Sequence, residues 1–390
     1  MNPRIPSFLS RPVALAAAAL ATALLAAGPA QAAHGVAATA GQTDAAPSTR
    51  PLPVVAPSTR PLPVVASFSI LADLVKQVGG DRVAVESLVK AGGDTHVFQP
   101  GPAQVRQLSG ASLVVVNGLG FEGWMPRLIG SSGYKGPVVE AARGLQAMKA
   151  TDDHHHHGDD ADEDDHDHEG PHGHDHDHDG PHGHDHDEDG PHGHSHADHD
   201  HDEASHGHHH HHHGGLDPHA WQDALNVRHY VANIAEGLCQ AAPADCAGFR
   251  ERARAYDQKL LELDQEIHQA VDATPTDRRR VMVSHAAFGY YGRAYHITFM
   301  APVGISTEEE PSAAVVANLI RQARQQNVQA FFFENNSDPR LLKRMASELK
   351  NVTIGELYAD SLSPANGPAA DYLSMMRYNT RAISQALSKK

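Results

Sequence analysis

From Leu62 onwards, short runs of β-branched and other apolar residues alternate with stretches whose apolar residues recur every three or four positions. The first pattern suits strands buried on both faces of a parallel sheet, the second amphipathic helices. In the first half this predicts strands at Leu62–Ala66, Val83–Val89, Leu113–Asn117 and Pro137–Val139. Helices are predicted between them at Ile70–Val78, Pro102–Leu108 and Glu122–Ile129. Gly79-Gly80 stops the first helix, and proline opens the second. A second alternating set follows. Its strands fall at Arg280–Ser284, Ile297–Met300, Gln329–Glu334 and Val352–Glu356. Its helices fall at Ala287–Tyr295, Ser312–Gln326 (with Ser306 or Ser312 as cap), Pro339–Leu349 and Asp371–Leu387.

Between the two sets lie a helix at Asn226–Leu238 and a longer one from Ala244 to Val271. Phe249, Ala253, Tyr256, Leu260, Leu263 and Ile267 form the buried stripe of the longer helix. At about 1.5 Å per residue it spans roughly 42 Å, more than the width of a small lobe, so it is expected to bridge two lobes. The predicted fold class is α/β: two α/β lobes with parallel-type sheets joined by one long rigid helix. The expected boundaries are a signal peptide at 1–32, a linker at 33–61, an N-terminal metal-binding lobe at 62–243, the interlobe helix at 244–273 and a C-terminal metal-binding lobe at 274–390. The linker contains PSTRPLPVVA at Pro47–Ala56, repeated at Pro57–Ala66, whose second copy enters the first strand.

The N-terminus reads as a secretory signal. Arg4 and Arg11 precede the short Ala/Leu run Val13–Ala27, and Ala30-Gln31-Ala32 is a cleavage site. The run is under the roughly 18 residues that span a bilayer, and no cysteine stands nearby to carry lipid. An exported, soluble protein is expected. The only cysteines, Cys239 and Cys246, are expected to form a disulfide in an oxidising compartment. The competing thiol metal pair lacks CxxC spacing and a nearby histidine.

The net charge of −17 is local in origin. Residues 151–215 hold 21 of the 48 acidic residues, 25 of the 32 histidines and no Lys or Arg. Elsewhere the charges nearly balance, so no nucleic-acid partner is indicated. A ten-residue GPHGHxHxxx unit recurs at Gly170, Gly180 and Gly190, and six histidines run from His208 to His213. Almost without apolar residues, this loop cannot offset the entropy of ordering. Dense imidazole and carboxylate make it a metal collector or buffer, against the alternatives of low-complexity expansion and an engineered tag.

Three histidines stand singly at strand ends or loop entries: His96 in GGDTHVFQP, His219 in LDPHAWQD and His285 in VMVSHAAFGY. Asp360 in LYADSLSP is a carboxylate in a similar place. Ligands of open parallel sheets bind beyond the carboxyl ends of strands, and three imidazoles with one carboxylate suit tetrahedral Zn²⁺. His34, His229, His268 and His296 read instead as ordinary surface or core histidines. Glu308–Glu310 read as a solvated helix entry, with ligand support or transporter docking as the alternative. Glu334 either orients a ligand imidazole or caps a turn. Phe121 and Trp124 read as core, with cleft lining as the alternative.

The segments DTHVFQPGPAQV, LVVVNGLGFEGWM, DPHAWQD, VMVSHAAFGYYG, GISTEEEPSA, FFFENNSDPR and LYADSLSP come in an order that resembles the metal-binding solute-binding proteins of zinc and manganese ABC transporters, the periplasmic zinc-binding type above all. The resemblance covers the chain from Leu62 on. It implies no enzyme, but a monomeric periplasmic protein that captures zinc and passes it to an ABC transporter permease, with a periplasmic metallochaperone as a further partner. Its ligands fall on His96, His219, His285 and Asp360, with His96 and His219 supplied by one lobe, His285 and Asp360 by the other. Manganese-selective relatives carry Glu in place of the third histidine, so His285 implies zinc. Thr95 stands where relatives often carry proline, with no functional consequence expected. Because neutral imidazoles bind metal, affinity should fall below a pH of about 6.5. The rival readings are a manganese-binding member of the same family, a stand-alone metal buffer or chaperone, and a zinc hydrolase. For the last, the chain offers no HExxH, HxE…CxxC or G-x-S-x-G.

Overall fold

The computed structural model describes residues 60–150 and 215–388. The expected signal peptide, most of the linker and its first repeat copy, His34 and the His/Asp tract lie outside the described residues.

Each half builds a sheet of four parallel strands. In the first the order is β2-β1-β3-β4, formed by β1 (Leu62–Phe68), β2 (Val83–Val89), β3 (Leu113–Val116) and β4 (Val138–Glu140). In the second the order is β6-β5-β7-β8, formed by β5 (Arg280–Val283), β6 (Thr298–Met300), β7 (Ala330–Glu334) and β8 (Thr353–Leu357). Side chains of successive residues leave a strand on opposite faces. Val64 and Ala66 of β1 accordingly enter the main core, while Val65 enters a smaller cluster with Val114, Val116 and Leu128. Both faces are therefore buried, as the unbroken apolar runs require.

The helices follow the predicted rhythm: α1 (Ser69–Gly79), α2 (Pro102–Ser109), α3 (Met125–Ser132), α4 (Ala224–Ala241), α5 (Cys246–Asp272), α6 (Gly289–Tyr295), α7 (Ala313–Gln325), α8 (Arg340–Ser347) and α9 (Tyr372–Ser388). Ser312 caps α7 by accepting from the Val315 amide. Helix α3 starts later than its pattern suggests, at Met125. Glu122, the expected first residue of α3, stays in the preceding loop, where its carboxylate accepts hydrogen bonds from the Asn117 and Gly118 amides. Cys239 and Cys246 form a disulfide across the turn between α4 and α5.

The long helix α5 has 27 residues and buries Phe249, Ala253, Tyr256, Leu260, Leu263, Ile267 and Val271. It packs on α1 and α4 of the first half and on α6 and α9 of the second. One continuous apolar core therefore runs from Phe68 through Trp221 and Leu260 to Tyr291 and Met376. No described helix is long and apolar enough to cross a membrane.

Candidate metal centre

His96 lies in the loop after β2, His285 directly after β5, and Asp360 after β8. His219 precedes the single helical turn Ala220–Gln222 that leads into α4. The parallel sheets thus aim the carboxyl ends of several strands at one place. There the four side chains meet, each offering one ligand atom, all within 4.8 Å of one another. His285 Nε2 lies 3.1 Å and His96 Nε2 3.4 Å from Asp360 Oδ2, while His219 Nε2 lies 3.6 Å from Asp360 Oδ1. The His96 and His219 Nε2 atoms are 3.4 Å apart. His285 Nε2 and both Asp360 oxygens are buried without a hydrogen bond. Buried polar atoms normally find partners, so an orphaned set converging on one point is what a cation would satisfy.

The imidazoles are held from behind. Asp217 Oδ1 lies 2.9 Å from His219 Nδ1 and accepts the His219 amide at 2.9 Å. Glu334 takes His285 in the same way, one oxygen on Nδ1 and the other accepting the amide at 3.2 Å. A carboxylate on Nδ1 keeps the proton there and leaves the Nε2 lone pair facing the centre. Asp94 Oδ1 accepts the His96 amide at 2.9 Å and so closes the loop that carries His96. Asp94-Thr-His96 and Asp217-Pro-His219 are the same short turn, used twice. Phe121 stands edge-on to the His96 and His219 rings at 4.9 and 5.7 Å, and Trp221 stands against His219 at 5.3 Å.

Residues 64–386 match the family described as zinc-uptake complex component A, periplasmic. The chain belongs to this family. Curated relatives include a metal ABC transporter substrate-binding lipoprotein, ScbA, of Streptococcus cristatus, 26% identical over 324 residues that span 83% of this chain and 88% of that protein. Another is the manganese-binding lipoprotein MntA of Halalkalibacterium halodurans, 25% identical over 323 residues, 83% of this chain and 87% of that one. In fold it matches the periplasmic zinc-binding protein TroA of Treponema pallidum, with TM-score 0.66 and 22% identity over 85% of this chain and all of that one. It also matches a manganese-bound periplasmic metal-binding protein of Candidatus Liberibacter asiaticus, with TM-score 0.64 and 22% identity over 84% and 99% of the two chains. As a member of this family the chain is a metal ABC transporter substrate-binding protein, not an enzyme.

In this member of the family, charge balances burial at the centre. Burial would push the Asp360 carboxyl up, but the neighbouring His285 and His219 hold it well below the usual carboxylate range. Burial opposes a charged His285, yet Glu334 and Asp360 outweigh it and raise its pKa well above the ordinary imidazole value. The loss of affinity placed near pH 6.5 from sequence alone is therefore expected to set in at higher pH, because metal must displace a more tightly held proton.

Phe121 is packed as core and also lines the centre, so the two sequence readings of it coincide. Trp124 acts indirectly, donating from Nε1 to the Thr95 carbonyl at 2.9 Å. Thr95 itself is buried, and its hydroxyl has no partner among the described residues. Of the two readings of Glu334, ring orientation is the one observed, although its carbonyl and amide also meet Ser337. Asp217 is a functional residue that the sequence analysis does not single out, although its place two residues before a histidine is a usable signal. Glu308–Glu310 are exposed and are not among the four clustered ligands. His229 and His296 are exposed, and His268 stacks edge-on to Tyr295.

Proposed function

We propose that this protein captures zinc in the periplasm at His96, His219, His285 and Asp360 and delivers it to the permease of an ABC importer. The observation that carries this reading is the spacing of the four ligand atoms. Zinc bonds of about 2.0–2.1 Å in a tetrahedron put neighbouring ligands roughly 3.3 Å apart. Three histidine–carboxylate separations and the His96–His219 separation are 3.1 to 3.6 Å, and one ligand atom from each of the four residues lies within 4.8 Å of the others. Three imidazole nitrogens and one carboxylate suit zinc, whereas manganese is better served by oxygen-rich shells. TroA is named for zinc and MntA for manganese, so relatives alone support both metals, and the nitrogen-rich donor set favours zinc. The signal-like N-terminus supports export. The His/Asp tract serves as a collector that raises metal concentration beside the centre. The described residues that flank it meet: the Ala150 amide donates to the Gly215 carbonyl at 2.8 Å, two residues before Asp217.

Competition titration with zinc tests the reading, using protein shortened by residues 152–213 and the same protein carrying His285→Ala. One tight zinc equivalent in the first and its loss in the second are expected. Tight binding that survives the substitution would overturn the site. Native mass spectrometry of the shortened protein in mixed metals reads preference directly, with a one-to-one zinc species expected to dominate manganese. If all tight binding goes with the tract, the stand-alone buffer is the correct reading.

A further inference from the structure

The four candidate ligands are not divided evenly between the halves. Asp360 follows a strand of the second sheet, but first-half groups grip its flanks. Trp221 Nε1 and Gln222 Nε2 both donate to the Ala359 carbonyl at 2.9 Å. The Gly92 amide donates to Ser361 Oγ at 2.6 Å, and Ser69 Oγ accepts the Leu362 amide at 3.0 Å. His96, His219 and Asp360 therefore form one assembly on the first half. His285, held by Glu334, is the ligand that belongs to the second half alone.

Among the side-chain ties that join that second-half ligand region to the first half, two flank the ligands. One is buried: Tyr290 of α6 donates to the Asp217 carbonyl at 3.0 Å and accepts the Met148 amide at 2.9 Å. The other borders solvent. Residues 303–307 follow β6 and lie alongside the chain leaving β5, with His285 bridged to Val303 and the Ala286 amide donating to the Gly304 carbonyl at 3.1 Å. This segment ends at Thr307, whose hydroxyl donates to Asp94 Oδ2 at 2.8 Å. The other oxygen of Asp94 accepts the His96 amide. The His96 side chain is 6% exposed, against 1% or less for the other three, so the path to solvent passes this edge.

Building on the zinc-capture reading, we propose that the Thr307–Asp94 hydrogen bond is a latch on metal exchange. It fastens the segment beside His285 to the loop that carries His96. Thr307 is a positioning residue: it touches no ligand atom, and its loss frees the second-half segment to part from the preassembled three-ligand half. The buried Tyr290 tie stays made, so the site opens at its exposed edge.

The test is stopped-flow release of zinc from the full chain to a chelator, following the slow phase that disappears in His285→Ala. Thr307→Val keeps the shape and removes the donor, and Thr307→Ser restores the donor. Release about tenfold faster in the valine variant, with the serine variant within about twofold of the parent, supports the latch. Equal rates in all three overturn it, as does equal acceleration in both variants, which would assign the effect to packing. A slow phase that persists in His285→Ala overturns the metal-site reading itself, a failure distinct from that of the latch.

Discussion

Glu334 holds His285 at two points, the ring Nδ1 and the backbone amide, while His285 Nε2 faces Asp360 at 3.1 Å. The charge of Glu334 thus sets both the direction of the ring and its proton affinity. Glu334→Gln is expected to weaken zinc binding about 10- to 100-fold, the usual cost of losing a carboxylate behind a metal-binding histidine. The pH profile should move as well. With Glu334 present, the His285 pKa is raised, so a proton competes with metal above pH 6.5 and affinity climbs until that raised value is passed. Glu334→Gln removes a cause of the rise, and its affinity should level off at lower pH. Competition titrations across pH 5.5–9 read both effects.

Gly289 reaches the centre through a neighbour. A Cβ there would lie 2.7 Å from Asp217 Oδ2, and the other oxygen of Asp217 orients His219. Gly289→Ala should therefore weaken zinc binding about tenfold, although Gly289 is not a ligand. Calorimetric titration beside a thermal melt checks this. An affinity equal to that of the parent would show that Asp217 moves aside without disturbing the ring.

Glu122 is buried under Ser67 and the Asn117 and Gly118 amides, and burial raises its pKa from 4.5 to about 7 despite those hydrogen bonds. A carboxyl that binds its proton more tightly when folded adds stability fully present below the unfolded pKa. That stability is lost as pH rises through the folded value. Between pH 4.5 and 7 the parent should therefore lose about 3 kcal/mol relative to Glu122→Gln, which mimics the neutral acid. Urea unfolding of both proteins at pH 5 and pH 8 gives this difference, and a constant gap would contradict it.

The Cys239–Cys246 bridge closes a short loop between α4 and α5, distant in sequence from every candidate ligand. Replacing both cysteines by serine should lower stability by about 2 kcal/mol through the freedom returned to the unfolded chain. Zinc affinity should remain within about twofold of the parent. Thermal melts with and without reductant, followed by metal titration, separate the two effects.

The alternation of β-branched runs with helical stripes was enough to place both sheets, the bridging helix and the buried face of α5, because burial on both faces of a parallel strand forbids polar interruptions. The single histidines were legible for a related reason. A lone imidazole at a strand end or loop entry is a local pattern, and for two of the three an aspartate two residues earlier, Asp94 and Asp217, closes the same local hydrogen bond. Which acidic groups serve which histidine is not local. Glu334, Asp360 and Glu308–Glu310 all sit in second-half loops or strand ends, and only the register of β7 against β5 and β8 puts Glu334 behind His285 rather than beside solvent. The grip of Trp221, Gln222, Gly92 and Ser69 on the segment around Asp360 was equally invisible, since it joins positions far apart in the chain. Periodicity and short turns are properties of neighbouring residues and can be read along the sequence. The meeting of His96, His219, His285 and Asp360, and the division of labour between the halves, arise where separate strands end together, and that is decided by tertiary packing.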